Sequence, residues 1–235
     1  MLTKGYNMGS VKILAYVFLC VVSLTPTLSA QNWPESFPKD YHAGVVECRS
    51  PSGRGSGTVV KFIKDSKEHP EYYIGLILTA SHVIHDSDDL FTISYRSGKV
   101  TIKNSVVVKN SQALDRYNDV GLIRALIPDE IKPMEISLQR PKMGETVELA
   151  GYGTGVLRHW NSTYGGGILN NDGFIILSWA IQGDSGGPII HNGKVIGVIC
   201  FGSAVARFTG RRLIICPIHC SSVGRIQQFI KAYSA

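Results

Sequence analysis

The chain has 235 residues, of which 44% are hydrophobic and 18% charged, so it suits one globular domain or two small subdomains sharing a core. Its 25 glycines favour an all-β protein with many tight turns. The formal net charge of +6 raises the question of a nucleic-acid partner, but the basic residues after Gly186 are scattered through apolar runs. This scatter favours a solvated basic face, and we predict no nucleic-acid binding.

The N-terminus has the pattern of a secretory signal. Lys4 and Lys12 precede the apolar run "ILAYVFLCVVSL", and "TPTLSA" then supplies a helix-breaking proline and a small residue at Ala30. We predict that residues 1–30 are a signal peptide and that the protein is secreted or periplasmic. The alternative is an uncleaved membrane anchor, and only then would the protein contact a membrane.

Four cysteines remain after residue 30, namely Cys48, Cys200, Cys216 and Cys220. In an exported chain an even number of cysteines permits disulfides, here two with three possible connectivities. No pair has the Cys-x-x-Cys spacing typical of zinc sites, so we predict neither a metal nor a cofactor.

About ten short apolar runs rich in Val, Ile and Tyr follow one another between turn residues, as expected for strands of a β-sandwich or barrel. "HNGK" at His191–Lys194 predicts a type I′ hairpin that pairs Pro188–His191 with Lys194–Phe201. "IPDEIKPM", from Ile127 to Met134, is the predicted linker between two halves. Only the last stretch, "SSVGRIQQFIKAY", has helical spacing and predicts a C-terminal amphipathic helix.

Three local patterns contain residues suited to nucleophilic catalysis. "LTASHVIHD" places His82 after an apolar strand, "YNDVGLIR" places Asp119 before one, and "IQGDSGGPII" places Ser185 in a glycine-rich turn. A serine hydroxyl needs a base to become a nucleophile, and histidine suits that role near neutral pH. An aspartate on the other ring nitrogen fixes the tautomer of the base. Backbone N–H groups of Gly183 and Ser185 are the candidate oxyanion hole, since glycine permits the tight turn required.

These motifs resemble those of the chymotrypsin/trypsin-like serine peptidases. "TASHV" looks like their histidine motif, "NDVGLI" like their aspartate-bearing strand, and "GDSGGP" matches their serine motif, all in the family's order. The resemblance covers roughly Val45–Phe201. It implies two perpendicular six-stranded β-barrels, spanning residues 31–127 and 128–235, with the triad between them. It also implies a serine endopeptidase that acts on polypeptides, and we expect a monomer.

The same residues admit alternative interpretations. "GDSGG" also fits the nucleophile elbow of α/β-hydrolases, but that fold needs an acid after the serine, and no Asp or Glu follows Ser185. Asp115 is a weaker rival to Asp119, and His85 lies outside the histidine motif. A non-catalytic binding or regulatory protein on the same fold is the alternative function, although such relatives usually lose a triad member.

The chain departs from animal trypsins in ways that bring it closer to compact bacterial, viral or Htr-type branches. In activated members a new N-terminal ammonium pairs with the acid before the serine, here Asp184, but no Ile-Val-Gly-Gly-like sequence precedes the motifs. Ser81 stands where a cysteine usually precedes the histidine. We therefore hypothesise that no N-terminal cleavage is needed, while the partner of Asp184 stays open.

The specificity pocket is expected, by matching onto the motif, from Trp179, Ala180, Cys200, Phe201 and Gly202. These positions include no acid, so a preference for Arg or Lys is not expected. A large indole at Trp179 would shrink the pocket and favour small or apolar side chains. The alternative is that Trp179 packs into the barrel core.

Overall fold

The structure of the protein is a computed structural model. The residues it describes are 44–50, 53–67, 70–84, 91–95, 99–102, 106–109, 119–167, 173–178, 180–200, 205–208, 211–214, 216–217, 227 and 230–231. All of them belong to one compact unit within residues 39–235. The predicted signal peptide lies outside the described residues. Among the residues that are described, no helix is long and apolar enough to cross a membrane.

The described part is all-β, as predicted, with two curled main sheets. The first sheet has seven strands in the order β5-β4-β1-β2-β3-β7-β6, one more than expected from the resemblance. The bounds of its strands are β1 Val45–Ser50, β2 Gly53–Asp65, β3 Tyr72–Thr79, β4 Phe91–Ser94, β5 Lys99–Ile102, β6 Val106–Lys109 and β7 Gly121–Pro128.

The second sheet has six strands in the order β12-β11-β8-β9-β10-β15, and β13 and β14 form a separate hairpin. The bounds of these strands are β8 Thr146–Gly151, β9 Arg158–Gly167, β10 Phe174–Ser178, β11 Pro188–His191, β12 Lys194–Val198, β13 Val205–Phe208, β14 Arg211–Ile214 and β15 Cys216–Pro217.

Bulges allow the sheets to curl. The long strand β2 shifts register against β3 twice, between Val59 and Lys61 and between Phe62 and Lys64. An extra residue on one strand bends it and increases its twist, which is how an antiparallel sheet closes toward a barrel. The predicted type I′ hairpin is confirmed, since Asn192 (φ 49°) and Gly193 (φ 77°) both have positive φ and join β11 to β12.

Two elements differ from the sequence prediction. The predicted linker begins inside β7, which runs to Pro128, and Met134 then donates its N–H to the Val59 carbonyl of the first sheet at 2.8 Å. The C-terminal helix is not confirmed. It falls almost wholly outside the described residues, of which Gln227, Ile230 and Lys231 have helical backbone without forming a helix of defined bounds.

The two predicted disulfides are not confirmed among the described residues. Cys48 is buried with a free thiol, and Cys200 is buried beside Asp119. Cys48 is packed wholly inside the core of the first sheet, and burial, with a smaller contribution from the Glu47 charge, raises the pKa of its thiol to about 12. It therefore behaves as a small apolar core residue. The Cys220 position and the Cys216 side chain lie outside the described residues.

Candidate active site

The strand ladder of the first sheet brings His82 and Asp119 together. Strands β3 and β7 are antiparallel, and Thr79 pairs with Gly121 at the end of the ladder. The chain leaving β3 therefore runs beside the chain entering β7. His82 lies in a single turn of 3₁₀ helix, Ser81–Ile84, just after β3, and Asp119 lies two residues before β7.

Two hydrogen bonds connect this pair. The His82 backbone N–H donates to Asp119 Oδ1 at 2.9 Å, and His82 Nδ1 lies 2.5 Å from Asp119 Oδ2. The carboxylate is mostly shielded, with 13% of its side chain exposed, whereas 35% of the His82 side chain is exposed. Because Nδ1 is engaged by the carboxylate, Nε2 is the ring nitrogen available for a substrate or nucleophile.

Ser185 is held by its backbone against the first sheet. Ser56 in β2 donates its N–H to the Ser185 carbonyl at 2.7 Å. The next residue, Gly186, has φ +87°, and a side chain there would collide with the Ser56 carbonyl and with Thr79, three residues before His82. The serine turn thus packs directly on the corner that carries His82. No hydrogen bond between Ser185 Oγ and His82 is present among the described residues.

The N–H groups of the serine turn follow an alternating pattern. Those of Asp184, Gly186 and Gly187 donate to the carbonyls of Ile181 (3.0 Å), Ile199 (2.7 Å) and Asp184 (3.0 Å). Those of Gly183 and Ser185 make no hydrogen bond to any described residue. The two N–H groups predicted for an oxyanion hole are therefore the two that the surrounding backbone leaves unused.

The buried hydroxyl of Ser56 supports this turn from the side. Its Oγ donates to the Gly183 carbonyl at 2.7 Å and accepts the Tyr152 N–H at 2.8 Å. Ser56 is fully buried, so these contacts are shielded from water. The sequence analysis does not identify this serine as a site residue, because only its tertiary contacts show that its hydroxyl is buried.

Asp184 is fully buried, and its partner, which the sequence left open, is a side chain of the same protein. Arg158 in β9 donates from Nη2 to Asp184 Oδ2 and from Nε to Asp184 Oδ1, the latter at 3.1 Å. The backbone N–H groups of Gly153 (2.9 Å) and Ile181 (2.8 Å) also donate to this carboxylate.

Sequence reasoning missed Arg158 because it missed the strand β9. "RHWNSTYGGG" contains no aliphatic residue, so it lacks the apolar run that predicts the other strands. The inward-facing positions are nevertheless Arg158, Trp160 and Tyr164, which are buried at even spacing. That alternation of aromatic residues was the available signal.

The predicted specificity pocket is described only in part. Ala180 is half-buried and packs against the core of the second sheet. Cys200 is buried, and its Sγ donates to the Asp119 carbonyl at 3.3 Å. Trp179, Phe201 and Gly202 lie outside the described residues, as do Asp115 and His85, so neither proposal for Trp179 is tested.

Comparison with known proteins places these features in a family. The model of the trypsin-like peptidase domain matches residues 55–198. Trypsin delta of Drosophila erecta is 29% identical over 143 residues, which cover 48% of this chain and 56% of that protein. The chain therefore matches about half the length of the curated relatives.

Solved structures of bacterial proteases share the fold. The active form of the Rv3671c protease from M. tuberculosis aligns with a TM-score of 0.59 at 23% identity and covers 81% of each chain. A serine endoprotease from Yersinia pestis aligns with a TM-score of 0.58 at 16% identity, covering 83% of this chain and 68% of its own. At this identity the likeness establishes the two-sheet fold.

Proposed function

This chain belongs to the trypsin-like peptidase domain family, and from that membership we propose that it is a serine endopeptidase acting on polypeptides. The proposed triad is Ser185 as nucleophile, His82 as general base and acid, and Asp119 as the group that orients His82. The observation that carries the proposal is the alternation of N–H groups around Ser185, combined with the His82–Asp119 hydrogen bond. The neighbouring N–H groups of the turn all have carbonyl acceptors, so the two N–H groups without a described acceptor are the ones available to a substrate oxygen.

In the proposed reaction, Ser185 Oγ attacks the substrate carbonyl carbon while its proton moves to His82 Nε2. The Asp119 carboxylate on Nδ1 stabilises the resulting imidazolium and keeps the ring in the tautomer needed for the attack. His82 then gives the proton to the leaving amine as the C–N bond breaks, which leaves an acyl-enzyme. A water molecule, deprotonated by His82, attacks the ester and regenerates Ser185.

The oxyanion that forms during each attack carries a full charge in a partly shielded site. The N–H groups of Gly183 and Ser185 are proposed to donate to it. One such donor typically contributes about 10²–10³ in rate, because it is already oriented when the charge develops. The Ser56 hydroxyl donates to the Gly183 carbonyl and so holds the next peptide, between Gly183 and Asp184, which also contains the Asp184 N–H.

The test is covalent labelling by an organophosphonate, followed by mass mapping. We expect stoichiometric labelling of Ser185 in the full chain, no labelling of Ser185→Ala, and unchanged labelling of Ser137→Ala, a serine whose hydroxyl accepts the Gln139 N–H at an exposed site. Wild-type protein that neither labels nor cleaves any member of a peptide library contradicts the proposal. That outcome supports a non-catalytic binding protein, an alternative favoured by the absence of a Ser185 Oγ–His82 hydrogen bond among the described residues.

Export is part of the proposal and depends on the sequence of residues 1–30 alone. The signal-like N-terminus agrees with an extracellular or periplasmic location, where the peptidase would act on polypeptides outside the cytosol. N-terminal sequencing of the protein from the extracellular or periplasmic fraction is the test. A start near Gln31 supports cleavage, and an intact N-terminus in a membrane fraction indicates the anchor.

A further inference from the structure

Arg54, at the start of β2, holds its guanidinium beside the proposed oxyanion hole. Its Nη2 donates to the Gly153 carbonyl at 3.2 Å. A side chain at Gly183 would begin 3.5 Å from Arg54 Nε, and one at Gly155 would begin 3.3 Å from Arg54 Nη1. Because both residues are glycines, neither contributes a side chain that would cover the guanidinium, and Arg54 is exposed.

The backbone on which Arg54 lies is held against the serine turn. Two residues further along β2, Ser56 donates its N–H to the Ser185 carbonyl at 2.7 Å. A side chain at Gly55 would collide with the same carbonyl, 2.9 Å away, and with Val83. The strand therefore packs directly on the turn, and the distance between Arg54 and the reacting groups is set by the fold.

The charge of Arg54 has no carboxylate partner among the described residues. Its neighbour in β1 is a second arginine, Arg49, which lies directly opposite in register. Arg49 is already paired, since its Nε lies 3.0 Å from Oε1 of the buried Glu47. Asp184, the acid behind the turn, is likewise bound by Arg158. Like charges directly opposite each other repel, so a carboxylate beside Arg54 would relieve this repulsion.

Arg54 and the predicted specificity pocket flank Ser185 on opposite sides. Arg54 reaches the turn before the serine, at Gly183. The segment that leads to Cys200 binds the turn after the serine, because Ile199 exchanges backbone hydrogen bonds with the two glycines that follow it. A peptide bound with the residue before its scissile bond in that pocket therefore has the residues after that bond beside Arg54.

We propose that Arg54 is a specificity-determining residue that binds an acidic side chain of the substrate, within the first few residues after the scissile bond. The inference rests on the proposed function and names its substrate class, polypeptides with Asp or Glu shortly after the cleaved bond. A guanidinium presents its N–H donors in a rigid plane that matches both oxygens of a carboxylate. The Gly153 carbonyl uses one of these donors and orients the group.

A contact in the leaving half of the substrate acts on one of the two chemical steps. The acidic residue departs with the amine when the acyl-enzyme forms, so Arg54 accelerates acylation and has no partner during deacylation. Its effect therefore belongs in kcat/KM for peptides. It is absent from acyl substrates whose leaving group is small and neutral.

The first test measures kcat/KM on matched peptides with Glu or Gln at each of the three positions after the cleaved bond in turn. Wild type should prefer Glu at one of them by about tenfold at low ionic strength. Salt at about 1 M should reduce this preference to about twofold, because the contact is exposed. Arg54→Gln should abolish the preference, and Arg54→Glu should reverse it in favour of Lys. The control Arg124→Ala, an exposed arginine on β7, should keep it.

A second measurement separates recognition from a structural role, because Arg54 also binds the Gly153 carbonyl. An ester with the same acyl group and a small neutral alcohol depends on the oxyanion hole but makes no contact in the leaving half. The ratio of kcat/KM for the acidic peptide to that for the ester should fall about tenfold in Arg54→Gln. An equal loss on both substrates assigns Arg54 to holding the loop at Gly153 and overturns the inference.

The remaining outcomes separate this inference from the proposed function. Wild-type protein that cleaves Glu and Gln peptides with equal kcat/KM at all three positions overturns the inference and leaves the peptidase proposal standing. A preference for Glu that persists in Arg54→Gln also overturns it, since another group must then bind the acid. Wild-type protein that never labels with an organophosphonate contradicts the proposed function, and the inference fails with it.

Discussion

The histidine side and the serine side of the candidate site are positioned by different means. His82 and Asp119 meet because β3 and β7 are neighbours in the sheet, so the paired ends of these two strands deliver both side chains. Ser185 lies in a turn whose geometry depends on contacts from β2 and β9, at separations of 129 and 27 residues for Ser56 and Arg158. One side is specified by strand pairing, and the other by buried polar contacts made across the two sheets.

The largest expected effects come from breaking the histidine side. His82→Ala should lower kcat/KM by about 10⁴–10⁶, since no other described group can accept the Ser185 proton there. Asp119→Asn should cost about 10⁴, because an amide favours the wrong tautomer of His82. Steady-state kinetics on one peptide substrate measures both.

The informative control is the double variant His82→Ala with Asp119→Asn. If the pair acts as a unit, it should be no slower than His82→Ala alone. An additive loss would mean that Asp119 acts on something other than His82, so that strand pairing alone would not explain the histidine side.

The difference between the two sides also explains what the sequence could predict. The three motifs, the hairpin at Asn192–Gly193 and most strands are readable because each depends on local residue type and spacing. The role of Arg158 was not readable, since the alternation in β9 indicates an inward-facing position but not the carboxylate 26 residues later that the arginine meets. Cys48 was misread for a similar reason, because only tertiary packing decides whether a cysteine is a core residue or a disulfide partner.

A smaller loss of activity is expected from removing the Ser56 hydroxyl, which joins the two sheets. Ser56→Ala leaves the Tyr152 N–H without its acceptor and the Gly183 carbonyl without its donor, both in a buried setting. We expect the free energy of unfolding to fall by about 1–3 kcal/mol and kcat to fall more than KM rises. Urea unfolding and kinetics on the same preparation measure the two effects.

Ser137→Ala is the matched control for Ser56, because its hydroxyl accepts one N–H from Gln139 at an exposed site. It should change the free energy of unfolding by no more than about 0.5 kcal/mol. Equal losses for the two serines would show that the contact between the sheets has no special role in holding the serine side.

The smallest effect is expected at an exposed ion pair on the serine side, which tests whether burial or charge is what matters there. Lys194 Nζ lies 2.7 Å from Glu135 Oε2, with side chains 50% and 72% exposed. The hydrogen bond and charge of Lys194 lower the pKa of Glu135 from its ordinary value of 4.5. Since the folded-state pKa is the lower one, the pair stabilises the fold above about pH 4.5, and this contribution is lost as the pH falls through the folded-state pKa.

Glu135→Gln should therefore lower Tm by less than about 2 °C at pH 7, because water and salt screen exposed pairs, and by still less at pH 3. Thermal unfolding followed by circular dichroism at the two pH values is the measurement. The kcat of the Glu135→Gln variant should equal that of the wild type. A large loss of activity on removing this exposed pair would mean that net charge near β12, and not the buried Arg158–Asp184 contact, holds the serine turn in place.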